Sequence, residues 1–363
     1  MKLEAAEDIV NAVLYEGYVL YPYRPSSVKN RQRWTFGGLY PKSYSEAQGG
    51  FEPYFMQTEC LVAGNPQTTI EIRVRFLHLL AREVREMLTP SHELPHDIEQ
   101  ATRPVDSLWV GEKLYQTWQE ATEREAGSAQ LKLHDLISEP YNLQFAFPNH
   151  HDTEILRSSD NAIVGSMLRE QQNLTGAITA SAVNVQDGLF KVTVQITNLT
   201  EWQATTSDRG ERDDALLRAF ASTHTILGVQ SGEFVSLLDT PDAYKEAATN
   251  CKNIGAWPVL VGHEGEHDIM LSSPIILYDY PQIAPESHGN LFDGTEIDEI
   301  LTLRIMTLTE EEKREMRAVD ERAGALLDRT ESLTGEQMMQ LHGTIRSALV
   351  KNNPAAPESG KEA

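Results

Sequence analysis

The most recognisable chemical pattern in the chain is a literal H-E-x-x-H, formed by His263, Glu264 and His267. On a helix this spacing puts both histidines on one face to bind zinc, and the glutamate then polarises the bound water. Gly262 and Gly265 disfavour a helix here by about 1 kcal/mol each relative to alanine. Apolar, strand-like runs flank the motif on both sides. We therefore predict a solvated β-hairpin loop, with a zinc-dependent hydrolase as the alternative.

Two further groups of side chains could offer metal ligands. One is His150, His151 and Asp152, with His134 and Glu154 nearby in sequence. Adjacent histidines on an extended chain point to opposite faces, so the pair is poorly placed to hold one ion. The other is a cluster of four carboxylates, formed by Asp293, Glu296, Asp298 and Glu299. Its spacing does not match a calcium-binding loop, so we predict a polar loop at the first group and a solvated face at the second.

The sequence lacks the patterns that bind nucleotides or activate a serine. It has no glycine-rich phosphate loop, no dinucleotide-binding fingerprint and no nucleophile elbow around Gly165-Ser166. We therefore expect no bound cofactor, and no motif in the sequence fixes a reaction.

A basic and aromatic segment at 21–34 stands out in an acidic chain. It contains the six side chains that we take as a candidate interaction surface: Tyr23, Arg24, Lys29, Arg31, Arg33 and Trp34. Arginine, tyrosine and tryptophan are favoured anchors of protein interfaces, so the segment is suited to docking an acidic or aromatic partner. The alternative is that its cations pair with the chain's own carboxylates and its rings pack in the core.

The charge of the chain limits the kinds of partner that it can bind. Its 363 residues include 31 Lys and Arg against 54 Asp and Glu, which gives a net charge of −23. Phosphate-bearing surfaces repel such a protein, so we expect no nucleic-acid binding and no attraction to anionic membranes. The charge is uneven, because the first fifty residues hold six basic and five acidic side chains and the acidic excess follows them.

Cysteine content and the N-terminal segment favour a cytoplasmic location. Cys60 and Cys251 are too far apart in sequence for a C-x-x-C site, so we predict two buried thiols of a reducing compartment. The N-terminus is acidic and has no unbroken apolar stretch, unlike a secretory signal. No apolar run approaches the roughly 20 residues of a membrane-spanning helix, so we expect no membrane insertion.

Hydrophobic periodicity predicts the elements that position these residues. Helical spacing indicates a helix over 3–15, whereas strict alternation indicates a strand over 70–76. The clearest local signal is Asp187-Gly188 between two alternating runs, which predicts a tight hairpin because both turn positions need positive φ. Residues 80–88 are expected to form a short helix.

The C-terminal part of the chain is predicted to be helical. Two capping boxes, which begin at Thr309 and Thr334, predict helices over 309–332 and 335–350. Together with the strand patterns, they indicate an α+β fold with a β-rich, sandwich-like core, an N-terminal helix and C-terminal helices.

This pattern of elements also predicts the domain organisation. We expect one large α+β domain over 1–308, or alternatively two β subdomains that divide near 150–170. A C-terminal helical segment over 309–350 and a disordered tail over 351–363 are expected to follow it.

Long stretches of the sequence resemble a known family. They are EGYVLYPYRPSSVKNRQRWTFGGLYP, CKNIGAWPVLVG with the following MLSSPIILYDYPQIAPES, and DGTEIDEILTLRIMTLTEEEK. The family consists of uncharacterised bacterial proteins encoded beside the structural and maturation genes of high-affinity nickel–iron uptake hydrogenases. The resemblance extends over about residues 1–320 and brings no assigned catalytic or ligand residues. It implies an accessory role in hydrogenase biogenesis or electron-transfer assembly.

Two functional hypotheses follow from the sequence. The first is an accessory or scaffold protein associated with the biogenesis or function of a cytoplasmic nickel–iron hydrogenase, without catalysis of its own. Its expected partner is a hydrogenase subunit or a maturation factor. The alternative is a metal-dependent hydrolase that uses His263, Glu264 and His267.

Overall fold

Antiparallel strands dominate the part of the chain that a computed structural model describes, which comprises residues 4–15, 37–204, 211–282, 302–303, 305–319 and 321–334. The strands are β1 (Phe55–Ala63), β2 (Thr69–Ser91), β3 (Thr102–Val105), β4 (Ser107–Val110), β5 (Lys113–Gln116), β6 (Trp118–Gly127), β7 (Leu131–Lys132), β8 (Tyr141–Phe147), β9 (His150–Arg157), β10 (Ile163–Gln171), β11 (Leu174–Gln186), β12 (Leu189–Asn198), β13 (Phe220–Gln230), β14 (Glu233–Val235), β15 (Trp257–Leu260) and β16 (Ile269–Ser273). The helices are α1 (Glu4–Leu14), α2 (Lys42–Ala47), α3 (Leu133–Ser138), α4 (Glu211–Leu216), α5 (Lys245–Thr249), α6 (Glu310–Val319) and α7 (Glu321–Glu331), with a 3-10 turn at Asp242–Tyr244.

Two main sheets build the core. The first has the strand order β14-β1-β12-β11-β8, and the second has the order β15-β16-β13-β2-β10-β9, with β3, β6 and β7 also paired to β2. Met56, Ile178 and Val192 of the first sheet belong to the same buried cluster as Ile72 and Leu227 of the second. The predicted α+β fold with a β-rich, sandwich-like core is therefore confirmed.

The longest strand, β2, runs through the middle of the second sheet. It pairs with β13 over 69–78, with β6 over 73–82 and with β10 over 81–91. The predicted short helix over 80–88 is wrong, because this stretch is fully extended within β2. Hydrogen bonds to neighbouring strands and the burial of apolar side chains outweigh the local preference for a helix.

The predicted hairpin at Asp187-Gly188 is confirmed. Strands β11 and β12 are paired antiparallel on either side of this two-residue turn. Gly188 has φ +71°, a conformation that glycine adopts without the steric penalty of a Cβ atom, whereas Asp187 does not have the positive φ that was expected at both turn positions. The turn therefore fixes the register in which these two strands enter the first sheet.

A cluster of phenylalanine rings fills the space between the sheets. Phe76 of β2 stacks on Phe220 of β13 with 4.6 Å between ring centroids, and Phe145 and Phe147 of β8 lie about 6 Å from Phe76. A Cβ atom at Gly176 would collide with the rings of Phe145 and Phe220, so β11 needs glycine at this point.

Helices cover the sheets at both ends of the described chain. The predicted N-terminal helix is confirmed as α1, whose Ile9 and Val10 pack on Ile226, Val259 and Leu271 of the second sheet. This burial of one helical face supplies the stability that an isolated helix of this length lacks.

The predicted C-terminal helix over 309–332 is divided in two. Lys313 and Arg317 of α6 each lie 2.8 Å from a carboxylate oxygen of Glu331 in α7, which requires the two helices to fold back on each other. The capping box at Thr309 is confirmed, because its hydroxyl accepts from the Glu312 amide while the Glu312 carboxylate accepts from the Thr309 amide. The predicted helix over 335–350 and the tail lie outside the described residues.

The core assignment predicts a large effect for Phe76→Ala. The ring is fully buried, so truncation should lower the free energy of unfolding by about 3–5 kcal/mol. Phe51→Ala is the matched control, since Phe51 is 88% exposed and should change stability by less than about 0.5 kcal/mol. Urea unfolding followed by circular dichroism measures both values, and similar values for the two variants would contradict the assignment.

Candidate functional site

The H-E-x-x-H motif lies in a turn between β15 and β16. The amide of His263 donates to the Glu266 carboxylate, and His267 Nδ1 lies 2.9 Å from the Phe234 carbonyl oxygen. Residues 262–268 contain no helical turn, so the two histidines are not placed on one helical face. The predicted polar loop between two strands is confirmed, and the local geometry of a zinc-protease helix is not formed.

The other predicted metal-ligand groups are also separated by the fold. His150 to Glu154 lie on β9, where Asp152 and Glu154 face the Arg169 guanidinium on β10, and His134 lies on α3. Within the described ranges, no three His, Cys, Asp or Glu side chains come together as a metal site. The candidate interaction surface in 21–34 and the carboxylate cluster in 293–299 fall outside the described residues.

The two cysteines occupy different environments. Cys60 is buried between the sheets, whereas Cys251 is half-buried in a separate apolar cluster against Leu61 and Val235. Burial raises the pKa of both thiols, to about 11 for Cys251. Both groups therefore stay protonated near neutral pH and are poor nucleophiles.

A serine–histidine pair that the sequence analysis missed lies in β13. Ser222 Oγ is 3.2 Å from His224 Nε2, and Ser222 has φ +51° at a bulge where the pairing with β2 shifts. Both side chains are buried, and burial next to Arg75 lowers the pKa of His224 to about 3. A general base needs a pKa nearer to the working pH and access to substrate, so this pair is structural.

A second buried histidine, His78 of β2, is neutral for a similar reason. Burial is the main cause that lowers its pKa to about 3, and the nearby Arg124 guanidinium adds to the effect. The chain around it is held by polar contacts, since Gln171 donates to the His78 carbonyl and accepts from Arg124.

A cleft of about 760 Å³ lies where the β4–β5 hairpin, strands β6, β9 and β10 and helix α6 meet. We call it the cationic cleft. Its lining is Arg82, Glu112, Lys113, Leu114, Tyr115, Glu120, Ala121, Glu154, Met167, Arg169, Arg314, Arg317 and Ala318. Its lining includes five cations, of which Arg82, Arg169 and Arg317 are paired with carboxylates. Lys113 and Arg314 are the two that have no carboxylate partner among the described residues.

The floor of the cationic cleft is a fixed network of ion pairs. The Glu120 carboxylate binds Arg82 at 2.7 Å through one oxygen and Arg169 at 3.3 Å through the other. Arg82 is almost fully buried and also donates to the carbonyl oxygens of Gln116 and Ala318. Because Ala318 lies in the last turn of α6, this arginine fastens the helix to the sheet.

The rim of the cationic cleft carries cations of a different kind. The Lys113 ammonium lies 4.6 Å from the centre of the Tyr115 ring, and the Arg314 guanidinium lies 5.9 Å from that of Trp109. Across the described ranges, neither cation has a carboxylate within ion-pair distance. Aromatic faces hold a cation in place without neutralising its charge, so both groups stay available to an anion.

The residues of the cationic cleft come from widely separated parts of the chain, and sequence spacing gave no signal of them.

None of the described helices has the length and apolar composition needed to cross a membrane. No protein-family model matches the chain, and no curated protein matches it either.

The buried histidines predict a pH dependence of stability. Their folded pKa values of about 3 lie below the unfolded value of 6.5, so the unfolded chain binds more protons below pH 6.5. The stability contributed by each neutral histidine is therefore almost complete at about pH 7.5 and should fall by about 1.4 kcal/mol per histidine between about pH 7.5 and 5.5. Urea unfolding at both pH values tests this, and the double variant His78→Gln, His224→Gln should lose most of the dependence. An equal dependence in the double variant would assign it to other groups.

The floor network predicts unequal effects for two arginines. Arg82→Ala leaves Glu120 without its shorter ion pair and releases the end of α6, so it should destabilise the chain by about 3 kcal/mol. Arg103→Ala is the control, because its ion pair with Glu86 is exposed and contributes less than about 1 kcal/mol. Chemical denaturation of both variants makes the comparison, and equal losses would be inconsistent with a buried, structural Arg82.

Proposed function

We propose that this chain is an accessory protein that acts with a cytoplasmic nickel–iron hydrogenase by binding a partner protein. The observation that carries the binding role is the pair of cations on the rim of the cationic cleft, Lys113 and Arg314, which have no carboxylate partner in the described chain. The resemblance of long stretches of the sequence to hydrogenase-associated proteins supports the choice of partner.

Charge complementarity supports docking at the cationic cleft. The net charge of −23 disfavours an acidic partner unless cations are available to receive it. The rim of the cleft can still bind an acidic group, because Lys113 and Arg314 have no carboxylate partner among the described residues. Trp109 at the rim is 47% exposed, and tryptophan and arginine side chains dominate binding energy at protein interfaces.

The chemistry of the cationic cleft is suited to binding. Arginine side chains stay charged at any ordinary pH, so Arg314 attracts an anion but cannot pass a proton to it. The metal-dependent hydrolase has no comparable support, because the two histidines do not share a helical face and the His267 ring contacts the Phe234 carbonyl oxygen of β14.

Affinity capture from hydrogenase-expressing cells tests the proposal. We expect the tagged full-length chain to retain a hydrogenase subunit or a maturation factor through washing, and deletion of its gene to lower hydrogen uptake. Complementation with the wild-type gene should restore uptake. If capture yields no hydrogenase component and uptake is unchanged in the deletion strain, the proposed function is wrong.

A further inference from the structure

We infer that the cationic cleft recognises a short, linear peptide segment in which carboxylates alternate with apolar side chains. This inference rests on the proposed function, because it names the chemistry of the partner segment that the cleft receives. It follows from the charge of the rim, the composition of the walls and the position of helix α6.

The rim supplies the sites for carboxylates. The Arg314 guanidinium lies 5.9 Å from the centre of the Trp109 ring, and among the described residues it has no hydrogen-bond or ion-pair partner. A carboxylate matches the edge of a guanidinium in a two-point, charge-assisted hydrogen bond. Lys113, placed against Tyr115 on the β4–β5 hairpin, offers a second site on another element. Two separate cations suit two carboxylates along a chain better than one compact anion.

Helix α6 and the floor of the cleft disfavour phosphate. The last turn of α6 reaches the cleft at Ala318, and the C-terminal end of a helix carries partial negative charge. Glu120 and Glu154 add two carboxylates to the lining. A compact dianion at the floor would meet cations that are already paired with carboxylates, whereas Lys113 and Arg314, which have no carboxylate partner among the described residues, lie on separate elements of the rim.

Apolar side chains in the walls provide the second half of the recognition. Leu114, Tyr115, Ala121 and Met167 line the cleft between the charged groups. Burying apolar atoms against them contributes about 25 cal/mol per Å², which a purely charged ligand cannot gain. Methionine adapts its shape to varied partners, so Met167 is suited to contact an apolar side chain of the segment.

The cleft is also formed before the ligand arrives. Arg82 joins β2, β6 and the end of α6 through hydrogen bonds to Gln116, Glu120 and Ala318. A site whose walls are already fixed loses less conformational entropy on binding.

Selection from a displayed library of random linear peptides tests this inference with the full-length chain. We expect the enriched peptides to alternate Asp or Glu with apolar residues and to lose affinity as salt rises. Fluorescence anisotropy with one labelled, enriched peptide should show binding about tenfold or more weaker for the double variant Lys113→Gln, Arg314→Gln. Lys42→Gln is the matched control, since Lys42 is an exposed cation near the Tyr54 ring outside the cleft, and it should bind as wild type does.

Three results would overturn the inference: no enrichment, enrichment of neutral or basic peptides, or equal affinity of the double variant and the wild type. Displacement of the peptide by low concentrations of inorganic phosphate would also overturn it and assign the cleft to phosphate. Circular dichroism confirms that each variant is folded.

If the library fails while a hydrogenase component is captured from cells, the proposed function stands and only the cleft assignment falls. The reverse outcome keeps the peptide site and removes the hydrogenase role.

Discussion

The pairing of β2 along both of its edges is the constraint on which the rest of the structure depends. Along one edge, β2 pairs first with β13 and then with β10. Along the other edge, it pairs in turn with β7, β6 and β3. Its first half positions Phe76 in the phenylalanine cluster, and its second half positions Arg82 in the floor of the cleft. A strand paired in this way cannot shift by one residue without turning its buried face outward. The register of β2 therefore fixes the positions of both the core residues and the floor of the cleft.

Sequence patterns predicted correctly those elements whose stabilising contacts lie between residues close together in the chain. The Asp187-Gly188 hairpin, the N-terminal helix and the capping box at Thr309 depend on residues within a few positions of one another. The stretch 80–88 reads as a helix for the same reason, because only its own residues are considered. Its extended state depends on strands far along the chain, which local periodicity does not reveal.

The candidate site could not be predicted from sequence, for a related physical reason. Segment 21–34 attracts notice because cations and aromatic residues adjoin in sequence. Lys113 and Tyr115 of the cleft also adjoin in sequence, whereas Arg314 and Trp109 meet only in space. Arg82 and Arg169 share the Glu120 carboxylate, but Arg314 meets an aromatic face. No composition or spacing rule distinguishes a neutralised arginine from an available one, since the difference lies in which side chain each one meets.

One wall of the cleft belongs to α6, which is synthesised after the strands that form the floor. The complete binding site therefore exists only late in synthesis. Arg82 and Glu120 leave the ribosome long before Arg314 and Ala318, and domains begin to fold while they are still being made. A chain made only as far as β10 contains Arg82, Glu120 and Arg169 of the floor but neither the Arg314 cation nor the Ala318 oxygen that Arg82 binds. A ligand that needs both sides of the cleft therefore distinguishes finished molecules from nascent ones.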